Sequence, residues 1–189
     1  MRRASGFSLL ELVVVIVLIG VLLGVAIERM LVLKAQAERS AMESVLGSLR
    51  SGITIRMAEL IAKGRMREIA NLVDANPFDV LAEAPENYLG ELFGPDPAVL
   101  EPGKWYFDSR DRMLCYLPES VDYFRPGGAG APRARFRIQP VFEDLNRNGR
   151  FDRGVDPVRG LRLVAVEPYE WRTQYVWPDW PWSAPAPAR

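Results

Sequence analysis

The sequence predicts an α+β fold in which a long N-terminal helix packs on an antiparallel sheet of about four strands. Three observations support this prediction. The first proline is Pro77, so nothing forbids a continuous helix from Phe7 to about Ala70. Apolar residues follow the helical repeat along the outer part of that helix. After residue 103, short strand-like segments alternate with turn residues, as they do in antiparallel sheets.

The first part of the predicted helix is apolar on every side. Residues 12–27 contain no charge and no proline. At 1.5 Å per residue, the run from Phe7 to Ile27 is about 30 Å long as a helix, which is enough to cross the hydrocarbon core of a bilayer. Glu11 interrupts this run. Because an unpaired carboxylate in lipid costs several kcal/mol, Glu11 is a candidate functional residue that needs a partner.

The short segment before the apolar run is basic. Arg2 and Arg3 place the N-terminus on the cytoplasmic side by the positive-inside rule. A conventional secretory signal has its small-residue cleavage site after the apolar region, whereas Gly6 lies before it. Cleavage after Gly6 would keep the apolar helix on the mature chain and create an α-amino group at Phe7. That cation could pair with Glu11, within one chain or between neighbouring chains.

The residues GFSLLEL at positions 6–12, followed by the apolar run from Val13 to Ile19, resemble the N-terminal signature of type IV pilins and type II secretion pseudopilins. The resemblance covers about residues 1–30 and implies a pilin-like fold. It also implies cleavage between Gly6 and Phe7 by a prepilin peptidase and N-methylation of the new terminal residue. Glu11 would then assist the registration of subunits in a helical filament. The alternative is an ordinary single-pass anchor that contains a stray glutamate.

The composition argues against several classes of function. The 24 basic and 24 acidic residues balance, so there is no electrostatic case for a nucleic-acid partner. The absence of histidine removes the commonest general base and the Ser-His and Cys-His nucleophiles, and we predict that the chain is not an enzyme. Cys115 is the single cysteine and cannot form an intramolecular disulfide. Many pilins have such a disulfide and pseudopilins commonly do not, so within the resembled family Cys115 favours a pseudopilin.

The outer half of the predicted helix is amphipathic. Its apolar residues recur at steps of four or three, and charged residues occupy the other sides of the helix. This stripe needs a surface on which to be buried, and we expect the chain's own sheet to supply it. A coiled-coil dimerisation helix is the alternative. The stripe consists of Met42, Leu46, Leu49, Ile53, Met57 and Leu60.

The remaining chain divides into a connector, strands and a tail. Residues 71–103 contain five prolines and predict an irregular connector, of which the part from 76 to 90 resembles the αβ-loop of pilin-like proteins. Residues 104–108 and 113–117 predict a β-hairpin in which Cys115 is a buried thiol. Further strands are predicted at 135–139, 161–166 and 172–177. Residues 178–189 predict a tail that is rich in Pro and Trp.

Residues 144–156 contain the pattern that looks most like a ligand site. Oxygen-bearing side chains occupy positions 1, 3, 5 and 9 of a loop with Gly149 at position 6, which matches the first part of an EF-hand-type calcium loop. Position 12 is Val155, where a carboxylate is expected, and Asp156 could substitute for it. A polar Asn-Gly turn between two strands is the alternative. The candidate ligands are Asp144, Asn146, Asn148, Arg150 through its carbonyl, Asp152 and Asp156.

These predictions define four segments: a leader at 1–6, a transmembrane helix segment at 7–30, a pilin-like globular domain at 31–177 and the tail at 178–189. The predicted function is that of a structural subunit of an inner-membrane-anchored pilus-like filament in a type II secretion system. A minor type IV pilin or a filament-tip adhesin is the alternative. The N-terminus would be cytoplasmic and the globular domain periplasmic. The expected partners are the prepilin peptidase, other subunits and the inner membrane, and the expected cofactor is calcium.

Overall fold

The computed structural model describes residues 8–173, and its elements confirm the predicted α+β class. Helix α1 spans Leu9–Ala62 and is followed by seven strands and four short 3-10 helices. The described residues fall into two compact units. The N-terminal unit contains residues 8–36 and Thr173, and the globular unit contains residues 37–172. The predicted leader and tail lie outside the described residues.

The N-terminal unit consists mainly of the apolar part of α1. Every residue from 8 to 31 is exposed to solvent. Ala35 and Thr173 are buried, and the Gln36 side-chain amide donates a hydrogen bond to the Thr173 carbonyl at 3.0 Å. Among the described residues, α1 is the one helix whose length and composition would let it cross a membrane.

Helix α1 ends earlier than the sequence suggested. The prediction that it continues to about Ala70 is wrong, because Gly64 adopts a φ of 70° and stops the helix after Ala62. The Arg65 N–H bonds to the Leu60 carbonyl at 2.8 Å, and the Gly64 N–H bonds to the Ile61 carbonyl at 3.0 Å. This pair of hydrogen bonds is the Schellman arrangement, which satisfies the last carbonyls of a helix. A 3-10 helix over Met66–Leu72 follows.

The globular unit contains a five-stranded sheet with the order β1-β2-β3-β5-β6. Its antiparallel pairs confirm the predicted sheet, but β1 runs parallel to β2 and so departs from the prediction. A second sheet pairs β4 with β7. The strands are β1 (Tyr88–Leu92), β2 (Trp105–Asp108), β3 (Met113–Tyr116), β4 (Phe124–Arg125), β5 (Ala134–Phe142), β6 (Val158–Ala165) and β7 (Glu170–Trp171).

The main core lies between α1 and one face of the large sheet. Its helix side is the predicted apolar stripe, in which Met57 is half-buried and the other five residues are fully buried. The sheet side supplies Trp105, Leu114 and Phe136, and the rings of Trp105 and Tyr116 lie 4.7 Å apart. The stripe therefore packs within its own chain, as the sequence predicted, and a coiled coil is not needed to bury it.

The other face of the same sheet carries a smaller apolar cluster. Tyr106, Cys115 and Leu117 are buried there, because alternate residues of β2 and β3 point to opposite faces. Burial raises the pKa of the Cys115 thiol to about 11, so the thiol is protonated at neutral pH. The prediction that Cys115 is a buried thiol is confirmed.

The predicted hairpin is present, and its register pairs Trp105 with Tyr116 and Asp108 with Met113. The Asp108 carboxylate stabilises the turn by accepting the Arg110 N–H at 3.0 Å. The predicted strand at 172–177 is absent at residues 172 and 173, because β7 ends at Trp171, and residues 174–177 lie outside the described chain.

Candidate functional site

The N-terminal end of α1 begins at a helix cap that the sequence interpretation missed. Ser8 precedes the first helical residue, and its hydroxyl oxygen accepts the Glu11 backbone N–H at 3.2 Å. A serine followed three residues later by glutamate is the sequence signature of a capping box, and this spacing was available as a signal. Glu11 lies in the first turn, where the helix dipole favours a carboxylate. Gly6 and Phe7, the predicted processing residues, lie outside the described residues.

The N-terminal unit presents a long apolar surface. The side chains from Leu9 to Leu31 are exposed, and large aliphatic residues dominate them. A Cβ atom placed on Gly20 or Gly24 would meet no atom within 4 Å, so another helix could approach closely at these positions. A surface of this size needs lipid or other apolar helices around it, since soluble proteins rarely leave such patches in water. Glu11 is a carboxylate near the N-terminal end of this surface and would enter the same surroundings, whereas Glu28 lies near its other end.

A second carboxylate on α1 joins the helix to the chain that follows β3. The Glu38 carboxylate accepts three hydrogen bonds: from the Tyr116 hydroxyl at 2.9 Å, and from the Glu119 and Ser120 N–H groups at 2.6 and 2.8 Å. Burial, together with the nearby Glu38 charge, raises the pKa of Tyr116. No sequence pattern identified Glu38, because its partners are 78 to 82 residues away.

The predicted calcium loop joins β5 to β6 and closes on itself. The Asp144 carboxylate accepts the N–H groups of Asn148 at 3.2 Å and Gly149 at 2.7 Å. Gly149 has a φ of 75°, which supplies the sharp turn that the pattern requires. At the far end, the buried Asp156 carboxylate accepts the N–H groups of Leu145 at 3.0 Å and Asp152 at 2.8 Å. Asp156 therefore closes the loop through backbone hydrogen bonds, and its role as a calcium ligand stays a prediction.

Three of the predicted side chains, those of Asn146, Asn148 and Asp152, meet in the middle of the loop. The Asp152 carboxylate accepts the side-chain amides of Asn146 at 2.7 Å and Asn148 at 2.6 Å. The hydrogen bond from Asn146 and, to a smaller extent, the one from Asn148 lower the pKa of Asp152. The Arg150 N–H bonds to the Asn148 side-chain oxygen at 2.7 Å. Both amides thus point their nitrogens at Asp152, and a cation would require them to turn their oxygens inward. Within residues 8–173, no group of three or more acidic, Cys or His side chains could hold a metal ion.

Comparisons with known proteins bear on the N-terminal region. Residues 1–27 match the family model described as the prokaryotic N-terminal methylation motif. The type IV narrow pilus major component PilA5 of Thermus thermophilus is 40% identical over 62 residues, which are 33% of this chain and 52% of that protein. The chain thus spans about half the length of this curated relative. No solved structure matches the chain. The predicted resemblance to the type IV pilin and pseudopilin family is confirmed.

Proposed function

We propose that this chain, which carries the N-terminal methylation motif of type IV pilins and pseudopilins, is a structural subunit of a pilus-like filament anchored in the inner membrane. The observation that carries the proposal is the exposed apolar stretch of α1, most of which lies within the matched residues 1–27. In the membrane this stretch is surrounded by lipid, and in a filament by the same stretch of neighbouring copies. Both environments are apolar, so a subunit can pass from one to the other without exposing the helix to water.

The Glu11 carboxylate has a different free energy in lipid and among the helices of a filament. In lipid its carboxylate is unfavourable unless it is paired, and the partner we propose is the α-amino group created at Phe7. Such a pair can form between neighbouring copies and would fix their register along the filament axis. The Ser8 hydroxyl caps the helix at Glu11 by accepting the Glu11 N–H.

The test is Glu11→Val, which makes the anchor more apolar. Membrane insertion should persist because valine favours lipid, whereas incorporation into filaments should fail because the Phe7 amine loses its partner. Glu28→Val is the matched control, since it removes an exposed carboxylate near the other end of the apolar stretch. Assembly of the Glu11→Val chain at the wild-type level would contradict the proposed pairing.

Processing is part of the same proposal. A prepilin peptidase would cut between Gly6 and Phe7 and methylate the new terminus, with the leader in the cytoplasm and the globular unit in the periplasm. Mass spectrometry of the mature chain should then find Phe7 first, and a bulky residue in place of Gly6 should block cutting. An intact leader in cells with active peptidase would refute this step.

The filament could belong to a type II secretion system or to a type IV pilus. The single Cys115 supports the type II secretion pseudopilin predicted from the sequence, and the naming of the relative as a type IV pilus component supports the alternative. Deleting the assembly ATPase of each system in turn distinguishes them, because the subunit should remain in the membrane when its own machinery is lost. A filament-tip adhesin would depend on the tail at 178–189, and it stays a prediction from the sequence.

Calcium binding by residues 144–156 also remains our proposal. The loop is already closed by Asp144 and Asp156, so binding would need the amides of Asn146 and Asn148 to turn rather than a refolding of the chain. A bound ion would increase the free energy of unfolding by mass action, by about 2.7 kcal/mol at a hundredfold excess over the dissociation constant, and so raise the melting temperature. An unchanged midpoint between millimolar calcium and chelator would favour the plain turn. If the midpoint shifts, Asp144→Ala should abolish the shift.

A further inference from the structure

A groove runs along one flank of α1 in the globular unit. It lies between the helix and β6, which is the edge strand of the large sheet and has no strand on its outer side within the described residues. The groove has a volume of about 330 Å³, and its floor is apolar. We call it the basic groove. Its lining residues are Arg50, Ile53, Thr54 and the β6 segment 161–164.

Two arginines make this groove basic. Arg50 on α1 and Arg162 on β6 are both exposed, and neither forms an ion pair within residues 8–173. Their neighbours differ: Arg56 is paired with Glu59 at 2.6 Å, and Arg159 is paired with Glu143. Two unpaired guanidinium groups beside an apolar floor suit a partner that presents carboxylates next to small apolar side chains.

The opposite flank of α1 presents a segment of that kind. Residues 81–86, Leu-Ala-Glu-Ala-Pro-Glu, lie along the helix beside Ser44, Val45 and Ser48. Glu83 and Glu86 are exposed and make no ion pair in the described part of the chain. We call residues 81–86 the acidic loop. With 3.6 residues per turn, Ser48 and Arg50 lie about 160° apart around α1, so the loop and the groove face in opposite directions.

The acidic loop is held in place by close packing on the helix. A Cβ atom on Gly52 would lie 2.8 Å from a Val80 methyl group and 3.1 Å from a Leu81 methyl group. Glycine at this position therefore lets the loop rest directly on α1. Because the loop is already ordered, binding through it would cost little conformational entropy.

We propose that the acidic loop of one copy docks in the basic groove of a second copy, and this inference rests on the proposed filament function. Glu83 and Glu86 would face Arg50 and Arg162, while the alanines and the proline cover the apolar floor. Two different surfaces on opposite flanks form a head-to-tail contact, and such contacts repeat along a helix instead of closing into a dimer. The charge pairs would select the register, and the buried apolar side chains would add affinity.

The experiment uses charge reversal in the full-length chain in its own cells. The loop reversal is Glu83→Arg with Glu86→Arg, and the groove reversal is Arg50→Glu with Arg162→Glu. Each reversed chain then carries the same sign of charge on both surfaces. Expressed alone, each should reduce the filament-incorporated fraction by at least about tenfold, the factor that corresponds to about 1.4 kcal/mol. Membrane fractions establish that the chains are made and inserted.

Co-expression of the two reversed chains provides the decisive measurement. The basic loop of one chain fits the acidic groove of the other, and the remaining loop and groove fit as well. Mixed filaments should therefore recover to within about threefold of the wild-type level, since opposite charges again meet at every contact. Recovery also shows that both reversed chains are folded. The matched controls Asp122→Arg and Arg67→Glu change exposed charges outside both surfaces and should leave incorporation unchanged.

The outcomes separate this inference from the proposed function. Normal incorporation of each reversed chain alone would overturn the docking inference and leave the filament function standing. If each reversed chain alone fails to enter filaments and the mixture does not recover incorporation, the docking inference is also overturned. The groove would then bind another protein or be needed for folding. If the wild-type chain itself never enters filaments, the proposed function fails and the docking inference fails with it.

Discussion

Replacing Glu38 by alanine should destabilise the globular unit by about 2–4 kcal/mol. The carboxylate accepts three hydrogen bonds, and a hydrogen bond to a charged group contributes about 1.5–3 kcal/mol when it is shielded from water. Glu38 is only half-buried, so water replaces part of this contribution for the two backbone N–H groups. The Tyr116 hydroxyl belongs to a residue that is 4% exposed, and leaving it unpaired costs about 1–3 kcal/mol.

The measurement is urea unfolding of the full-length chain in detergent micelles, followed by tryptophan fluorescence. With a slope of about 2 kcal/mol per molar urea, the midpoint should fall by about 1–2 M. Glu38→Gln should fall between wild type and Glu38→Ala, because the amide retains a single acceptor oxygen. Glu43→Ala is the matched control: it removes an exposed ion pair with Arg39 that contributes about 0.3–0.5 kcal/mol. Equal midpoints for Glu38→Ala and Glu43→Ala would refute the reasoning.

Three further predictions follow from glycine packing and from thiol burial. Gly47→Ala should raise the free energy of unfolding by about 0.5–1 kcal/mol, because alanine favours the helix and its methyl group would meet no neighbouring atom. Gly52→Ala should not give this gain, because its methyl group would press on the Val80 and Leu81 side chains. Equal urea midpoints for the two variants would contradict this. Gly127→Ala should prevent normal folding, since a Cβ atom there would overlap the Pro168 carbonyl oxygen; a wild-type melting curve would contradict it. The Cys115 pKa is raised in the folded state, so its stabilising contribution should be complete below about pH 9 and lost as the pH rises through about 11. Cys115→Ala should therefore flatten the dependence of unfolding free energy on pH in this window.

Local periodicity made the long elements predictable. The stripe from Met42 to Leu60 could be assigned to a buried helix face because its apolar residues follow the helical repeat for about five turns and no proline interrupts them. The β2–β3 hairpin could be predicted in the same way, since its two largely apolar arms flank the polar residues 109–112. Such signals depend on neighbours in sequence, and each is complete within a short window.

The features that the sequence did not predict depend on distant partners. Gly64 resembles the other glycines of the helix in sequence, but its positive φ and the two hydrogen bonds of the Schellman arrangement end α1. Strand β1 lies within residues 71–103, where the sequence predicted an irregular connector, and its parallel pairing with β2 depends on how the chain between the two strands returns to the sheet. In sequence, Glu38 cannot be distinguished from the exposed carboxylates of the helix. Its three donors come from the end of β3 and from the chain that follows it.

The loop from Asp144 to Asp156 shows why a motif can predict geometry without deciding chemistry. In the structure the Asp144 carboxylate accepts the Gly149 N–H, and Gly149 turns the chain with a positive φ, while the calcium ligands stay a prediction. The spacing of the motif lets its side-chain oxygens accept hydrogen bonds from the loop's own N–H groups and amides, as Asp144 and Asp152 do. A calcium ion and a set of backbone donors both demand convergent oxygens, so both select the same residues. What separates them is the direction in which the side chains of Asn146 and Asn148 point, and a rotation about one side-chain bond changes that direction without altering the sequence pattern.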